Sequence, residues 1–156
     1  MHEAIIALGS NLGNRVQSLN FAIEQLGVGV LKQSQVFETD PVGGPENQGA
    51  YLHMVAALET DLDPYALMRW LHHIEAEAGR VREIHWGPRT LDVDIIWIDG
   101  VTVSEPDLEV PHPRMRSRRF VMAPLADLAP DVAGSDWADR AEGHVHRVGP
   151  IEAEPG

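Results

Sequence analysis

Residues 4–8 (AIIAL) form an unbroken apolar run that ends at Gly9, the pattern of a buried strand. The polar segment GSNLGN follows and reads as a turn. Asn14, with Gln17 three residues on, has the spacing of a helix capping box. Val16, Leu19, Ile23 and Leu26 then recur at helical spacing until Gly27 stops them. Residues 29–38, rich in Val and Phe, and residues 51–59 read as a second and a third strand. Between them lies a Pro/Gly-rich loop at 39–50, long enough to suspect a function. Asp63 and Pro64 make a helix start, with Asp as the cap and Pro at the first position. Leu67, Trp70, Leu71, Ile74 and Ala78 form one stripe, and Gly79 is its expected end. A polar, arginine-bearing loop at 80–90 leads to a fourth strand at 91–98, closed by the turn Asp99-Gly100.

The order βαββαβ predicts an α+β fold of ferredoxin-like plan, with helices on one face of an antiparallel sheet and C-terminal additions. Those additions are the turn-rich VPHPRMRSRRF at 110–120, a helix near 121–128, and an extension from 131 to 156 expected to be loosely packed. A length of 156 residues suits one domain across 1–156, with its core at about 3–130. No internal repeat is evident.

Composition narrows the function classes. No apolar run approaches the ~18 residues that a membrane span requires, and the start MHEAIIALGS lacks the basic region of a signal peptide. The absence of cysteine excludes disulfides, thiolate metal sites and cysteine nucleophiles, and is compatible with a cytoplasmic location. The net charge of −12 argues against a nucleic-acid binder. Yet Arg80, Arg82, Arg89, Arg114, Arg116, Arg118 and Arg119 cluster in a chain with one lysine, Lys32. Such a cluster is either a site for a small polyanion, suited to the planar arginine fork, or a solvated face paired with the acids nearby.

Strand alternation puts Asp92, Asp94 and Ile96 on one face and Leu91, Val93, Ile95 and Trp97 on the other. The two carboxylates then lie roughly 6.5 Å apart at Cα. Three readings fit them: a divalent metal site, a buried pairing with Arg82 or Arg89, and an edge strand with a wet acidic face. An oxygen-only donor set favours Mg²⁺ over zinc. Glu75 and His72 sit one turn apart at the border of the second helix's stripe, either on the surface or above a cleft. Arg80 and Arg82 alternate along the expected extended loop, as suits two phosphate oxygens. His112, held between Pro111 and Pro113, is a turn histidine or a phosphate ligand. Tyr51 and Phe120 are core aromatics or a stacking platform for a flat heterocycle.

The run WGPRTLDVDII at 86–96 resembles the signature of the 6-hydroxymethyl-7,8-dihydropterin pyrophosphokinase family. ALGSNLG at 7–13, YLHMVAALET at 51–60, IEAEAGRVR at 74–82 and VPHPRMRSRRF at 110–120 agree with that family in order. The resemblance implies a magnesium- and ATP-dependent transfer of pyrophosphate to a pterin, releasing AMP, in folate synthesis. It implies two Mg²⁺ ions on Asp92 and Asp94, with Arg80, Arg82, Arg89 and Asp94 as catalytic groups. It implies ATP contacts from His72, Glu75, Arg80, Arg82, Arg89, His112 and Arg118. It implies a pterin held by Thr39, Pro41, Val42, Tyr51, His53 and Phe120. The chain is expected to be a monomer that acts on small-molecule substrates, with no nucleic-acid or membrane partner. The chain departs from the family's usual pattern at His53, where Asn is frequent beside the pterin, at His85, and at Pro113. Other Mg²⁺-dependent phosphoryl or nucleotidyl transferases, and a non-catalytic binding module, are the competing classes.

Overall fold

In the computed structural model, residues 2–10, 15–39, 51–82 and 91–151 are described, the side chains of 80–82 excepted. The elements run β1 (His2–Ser10), α1 (Arg15–Leu26), β2 (Val30–Gln33), β3 (Val36–Thr39), β4 (Leu52–Thr60), α2 (Pro64–Arg82) and β5 (Asp92–Ile98). They continue with β6 (Val103–Glu105), β7 (Leu108–Val110), α3 (Arg119–Leu128), α4 (Pro130–Ala133), α5 (Trp137–Arg140) and β8 (Val145–Gly149). The main sheet is antiparallel with strand order β5-β1-β4-β3-β8, and β2 also pairs with β4. β6 and β7 make a separate hairpin.

The central strand explains the unbroken run AIIAL, because both of its faces are covered. Ala4, Ile6 and Leu8 pack with Leu19 and Ala22 of α1 and Leu67, Leu71 and Ile74 of α2. Ile5 faces the opposite cluster, with Val55 of β4, Ile96 of β5 and Met122 and Leu125 of α3. Removing a fully buried side chain here, such as Leu71, costs ~2–5 kcal/mol by the usual cavity argument. Two helices on one face agree with the ferredoxin-like expectation, and α3 adds a layer on the other.

Helix α2 starts as its sequence predicts: the Asp63 Oδ1 accepts the Ala66 N–H at 2.9 Å. Its end differs. Gly79 does not stop the helix, which runs on to Arg82. A mid-helix glycine costs only about 1 kcal/mol, which the long buried stripe of α2 outweighs. Arg80 and Arg82 therefore lie on helical backbone, not on an extended loop. At Gly27 the expected stop is present, with φ of 74°.

The expected strand at 29–38 is broken into β2 and β3 at Ser34. The buried Ser34 hydroxyl accepts the Val55 N–H at 2.9 Å, while the Ser34 N–H donates to the Val55 carbonyl at 2.9 Å. A side chain thus takes over ladder bonding where the strand kinks. In β5 a register shift against β1 leaves Ile96 without a partner between Ile95 and Trp97. This bulge puts Trp97 on the face of Ile96 and returns Ile98 to the α1–α2 side, so strict alternation fails for Trp97. The stretch expected to be loose beyond 131 instead holds α5 and β8, with Ala133 and Ala141 buried in the α3 cluster.

Candidate active site

One face of the sheet carries a cavity of about 390 Å³, floored by Ala7 and Gly9 of β1. The register places Asp94 beside Ala7 and Asp92 beside Gly9 on one flank, and His53 beside Gly9 on the other. Small side chains on the central strand therefore leave a trough between two carboxylates and an aromatic wall. With strands spaced ~4.8 Å apart, the trough is about 10 Å across from Asp92 to His53. Tyr51 and Thr39 line it from the β3–β4 side, and Arg118, Phe120 and Val121 from the start of α3.

A second cavity of about 290 Å³ lies between α2 and the β6–β7 hairpin. Met68, Leu71 and His72 face it from α2, and Pro106, Asp107, Leu108 and Glu109 from the hairpin. Asp94 and His112 line both cavities, which makes them the junction between the two.

His112 is held in place by two hydrogen bonds. Its backbone N–H donates to the Ile96 carbonyl at 3.0 Å, tying the 111–113 segment to β5. Its Nδ1 accepts the Arg114 N–H at 3.1 Å, which leaves Nε2 as the donor in the neutral ring. Burial pushes its pKa below the ordinary histidine value, and Arg118 and Arg114 add to that against the opposing pull of Asp94 and Glu109. A neutral imidazole with one fixed donor suits a phosphate oxygen.

Thr39 acts on Tyr51: its Oγ1 accepts the Tyr51 N–H at 3.0 Å, and its backbone N–H donates to the Tyr51 carbonyl at 3.0 Å. The Tyr51 hydroxyl is raised above its usual pKa by burial and by the Asp92 charge. The His53 ring stacks on Tyr51 at 5.4 Å between centroids and on Phe120 at 4.6 Å. Burial lowers the His53 pKa to about 4. Arg118 lies over Phe120, 5.5 Å from the ring centre.

The carboxylates fit a cation held jointly with a ligand. Among the described residues no group of three or more His, Asp or Glu could hold a metal ion. Magnesium commonly takes one or two carboxylates, with water and substrate phosphates completing its shell. Glu75 has a different task from Asp92 and Asp94: its Oε2 accepts the Val93 N–H at 2.8 Å, between them.

The arginine cluster divides. Arg118 reaches the first cavity. Arg116 donates to the carbonyls of Ala133 and Val132 at 2.7 and 3.1 Å, capping α4. Arg119 donates to Ala138 and Ala141 and covers the Trp137 ring. Pro41, Val42, His85 and Arg89 lie outside the described residues, as do the side chains of Arg80 and Arg82. The sequence reading missed Ala7 and Gly9 as the cavity floor and the 106–109 turn as a wall. A glycine in a strand was the available signal for close approach from above; a Cβ on Gly9 would stand 3.3 Å from the His53 Nδ1.

Comparison with known proteins bears on this arrangement. Residues 5–130 match the family described as 7,8-dihydro-6-hydroxymethylpterin-pyrophosphokinase. The chain is 45% identical over 133 residues to a Bacillus subtilis 2-amino-4-hydroxy-6-hydroxymethyldihydropteridine pyrophosphokinase, covering 83% of this chain and 79% of that protein. It is 44% identical over 136 residues to the Pseudomonas aeruginosa protein of the same name, covering 85% and 83%. Its fold is similar to that of Plasmodium falciparum HPPK-DHPS, with a TM-score of 0.66 at 14% identity. That match covers 84% of this chain and 40% of the Plasmodium chain, so this chain spans less than half of that protein.

Proposed function

The chain belongs to the 7,8-dihydro-6-hydroxymethylpterin-pyrophosphokinase family, which transfers pyrophosphate to hydroxymethyldihydropterin in folate biosynthesis, and from that premise we propose how its own residues share the reaction. ATP is the donor. Its adenosine part lies in the cavity between α2 and the β6–β7 hairpin, near His72, and its phosphates reach the junction. The pterin lies in the first cavity between Tyr51 and Phe120, with its hydroxymethyl group toward Asp94. The observation that carries this reading is that Asp94 and His112 line both cavities, so two substrates in separate cavities meet there.

The pterin hydroxymethyl oxygen attacks the β-phosphorus of ATP, its proton passes to Asp94 or to solvent, and AMP leaves. Asp92 and Asp94 would hold two Mg²⁺ ions, which when bound neutralise phosphate charge as it shifts in transfer. His112 donates its Nε2–H to a phosphate oxygen. Arg80, Arg82, Arg89 and Arg118 supply the fixed positive charge, since the chain's single lysine, Lys32, lies on β2 away from the cavities. The segments around Thr39 to Val42 and 80–89 would close over the substrates and keep water from the phosphates. Glu75 holds β5 in register beside the nucleotide. His53, stacked on Tyr51 and Phe120, bears on pterin binding.

The chain works as a monomer in the cytoplasm, with no nucleic-acid or membrane partner. Among the described residues no helix is long and apolar enough to cross a membrane. The test is direct: protein, ATP, Mg²⁺ and 6-hydroxymethyl-7,8-dihydropterin should give AMP and the pterin diphosphate. Formation of ADP, or release of free pyrophosphate, would instead mark another phosphoryl or nucleotidyl transferase.

A further inference from the structure

The slot assigned to the pterin is already filled by a side chain of the protein. The His53 ring is stacked on Tyr51 at 5.4 Å and 19°, and on Phe120 at 4.6 Å and 27°. Aromatic rings in contact have centroids ~4.5–7 Å apart, so neither pair leaves room for another ring between its members. Gly9 stands opposite His53 in the neighbouring strand and, lacking a Cβ, gives the imidazole its seat.

Little holds the ring there. Among the described residues its buried Nε2 has no hydrogen-bond partner, which is a costly state for a polar atom. No ion pair with His53 is present among the described residues, and burial keeps the ring uncharged at neutral pH. A larger flat heterocycle would replace the stacking that the imidazole provides. The displaced imidazole would recover hydrogen bonds to water. Both changes favour exchange of one ring for the other.

We propose that His53 is an internal stand-in for the pterin: its imidazole occupies the place between Tyr51 and Phe120 in the free protein, and the substrate must expel it to bind. His53 thereby sets pterin affinity and selects against rings that stack no better than imidazole. The inference rests on the pterin reading given above and deepens it.

The experiment compares wild type with His53→Ala in the AMP-forming reaction. Emptying the slot should lower the KM for the pterin by about three- to tenfold, raising kcat/KM through KM. A raised KM that His53→Asn restores would overturn the proposal, because His53 would then be holding the pterin edge. A second measurement needs no folded variant. In wild type the His53 ring protons should resonate upfield, shielded by the flanking aromatics, and move toward free-imidazole positions when hydroxymethyldihydropterin saturates the site. Resonances that stay upfield would also overturn it. If wild type makes no AMP, the underlying reading of the site fails and takes this inference with it; AMP formation with a raised KM defeats the inference alone.

Discussion

Glu75 on α2 bonds to the backbone of Val93 on β5, its Oε2 accepting the N–H at 2.8 Å between the two aspartates. Among the described residues β5 is an edge strand, and an outward N–H there meets no neighbouring strand. The half-buried carboxylate fills that need, so a residue expected to touch the nucleotide also fixes the strand that carries Asp92 and Asp94. Glu75→Ala should cost about 1–3 kcal/mol in chemical denaturation, the usual range for orphaning a buried donor. Glu75→Gln keeps an acceptor and should recover most of that stability. Equal stability of the alanine variant and wild type would remove the bracing role.

Asp94 is exposed at the junction of the two cavities. Its loss should therefore leave folding within about 0.5 kcal/mol of wild type. Turnover should nonetheless fall by at least ~100-fold if the carboxylate holds the metal on which transfer depends. AMP formation by Asp94→Ala at saturating Mg²⁺ is the measurement. Wild-type turnover there would sink the metal assignment.

Tyr51 is held by Thr39 at the rim of the first cavity, away from the second. Tyr51→Ala should weaken pterin binding by the ~1–3 kcal/mol typical of one base–aromatic stack, and ATP binding far less. Titration calorimetry with each ligand separates the two. Equal losses for both would count against stacking.

What was legible in the sequence followed periodicity and turn chemistry. The α2 start rested on Asp63 and Pro64, and the shared face of Asp92, Asp94 and Ile96 rested on alternation; both are found. What was not legible depended on contacts between distant segments. The bulge at Ile96 comes from pairing with β1, and nothing local announces it. The helix passes Gly79 because tertiary packing outweighs a weak propensity. β8 is a strand because β3 offers it an edge, where the His146 Nε2 lies 3.3 Å from the Glu38 carboxylate. In the site, His53 could be recognised as a departure from the family, but its stacking on Phe120 needed α3 to be folded over the sheet.

The arginine cluster supplies a contrast. Arg116 spends its guanidinium on the Ala133 and Val132 carbonyls, at the end of α4. Arg116→Ala should cost about 1 kcal/mol of stability and leave the KM for ATP unaltered. A clear rise in that KM would return Arg116 to the phosphate site.

Burial of His53 also makes folding depend on pH. Its pKa in the folded protein is lowered to about 4 by desolvation, whereas an unfolded histidine titrates near ~6.5. Below that upper value the unfolded chain binds a proton that the folded chain refuses. Stability contributed by the neutral ring is therefore complete above about pH 6.5 and is lost as pH falls toward about 4. At pH 5 the expected loss is about 2 kcal/mol from this group alone. The informative quantity is the difference between wild type and His53→Asn. Urea denaturation of both at pH 7.5 and pH 5 should show wild type losing about 2 kcal/mol more than the variant. Parallel losses would mean that the imidazole is either solvated or already protonated in the folded protein.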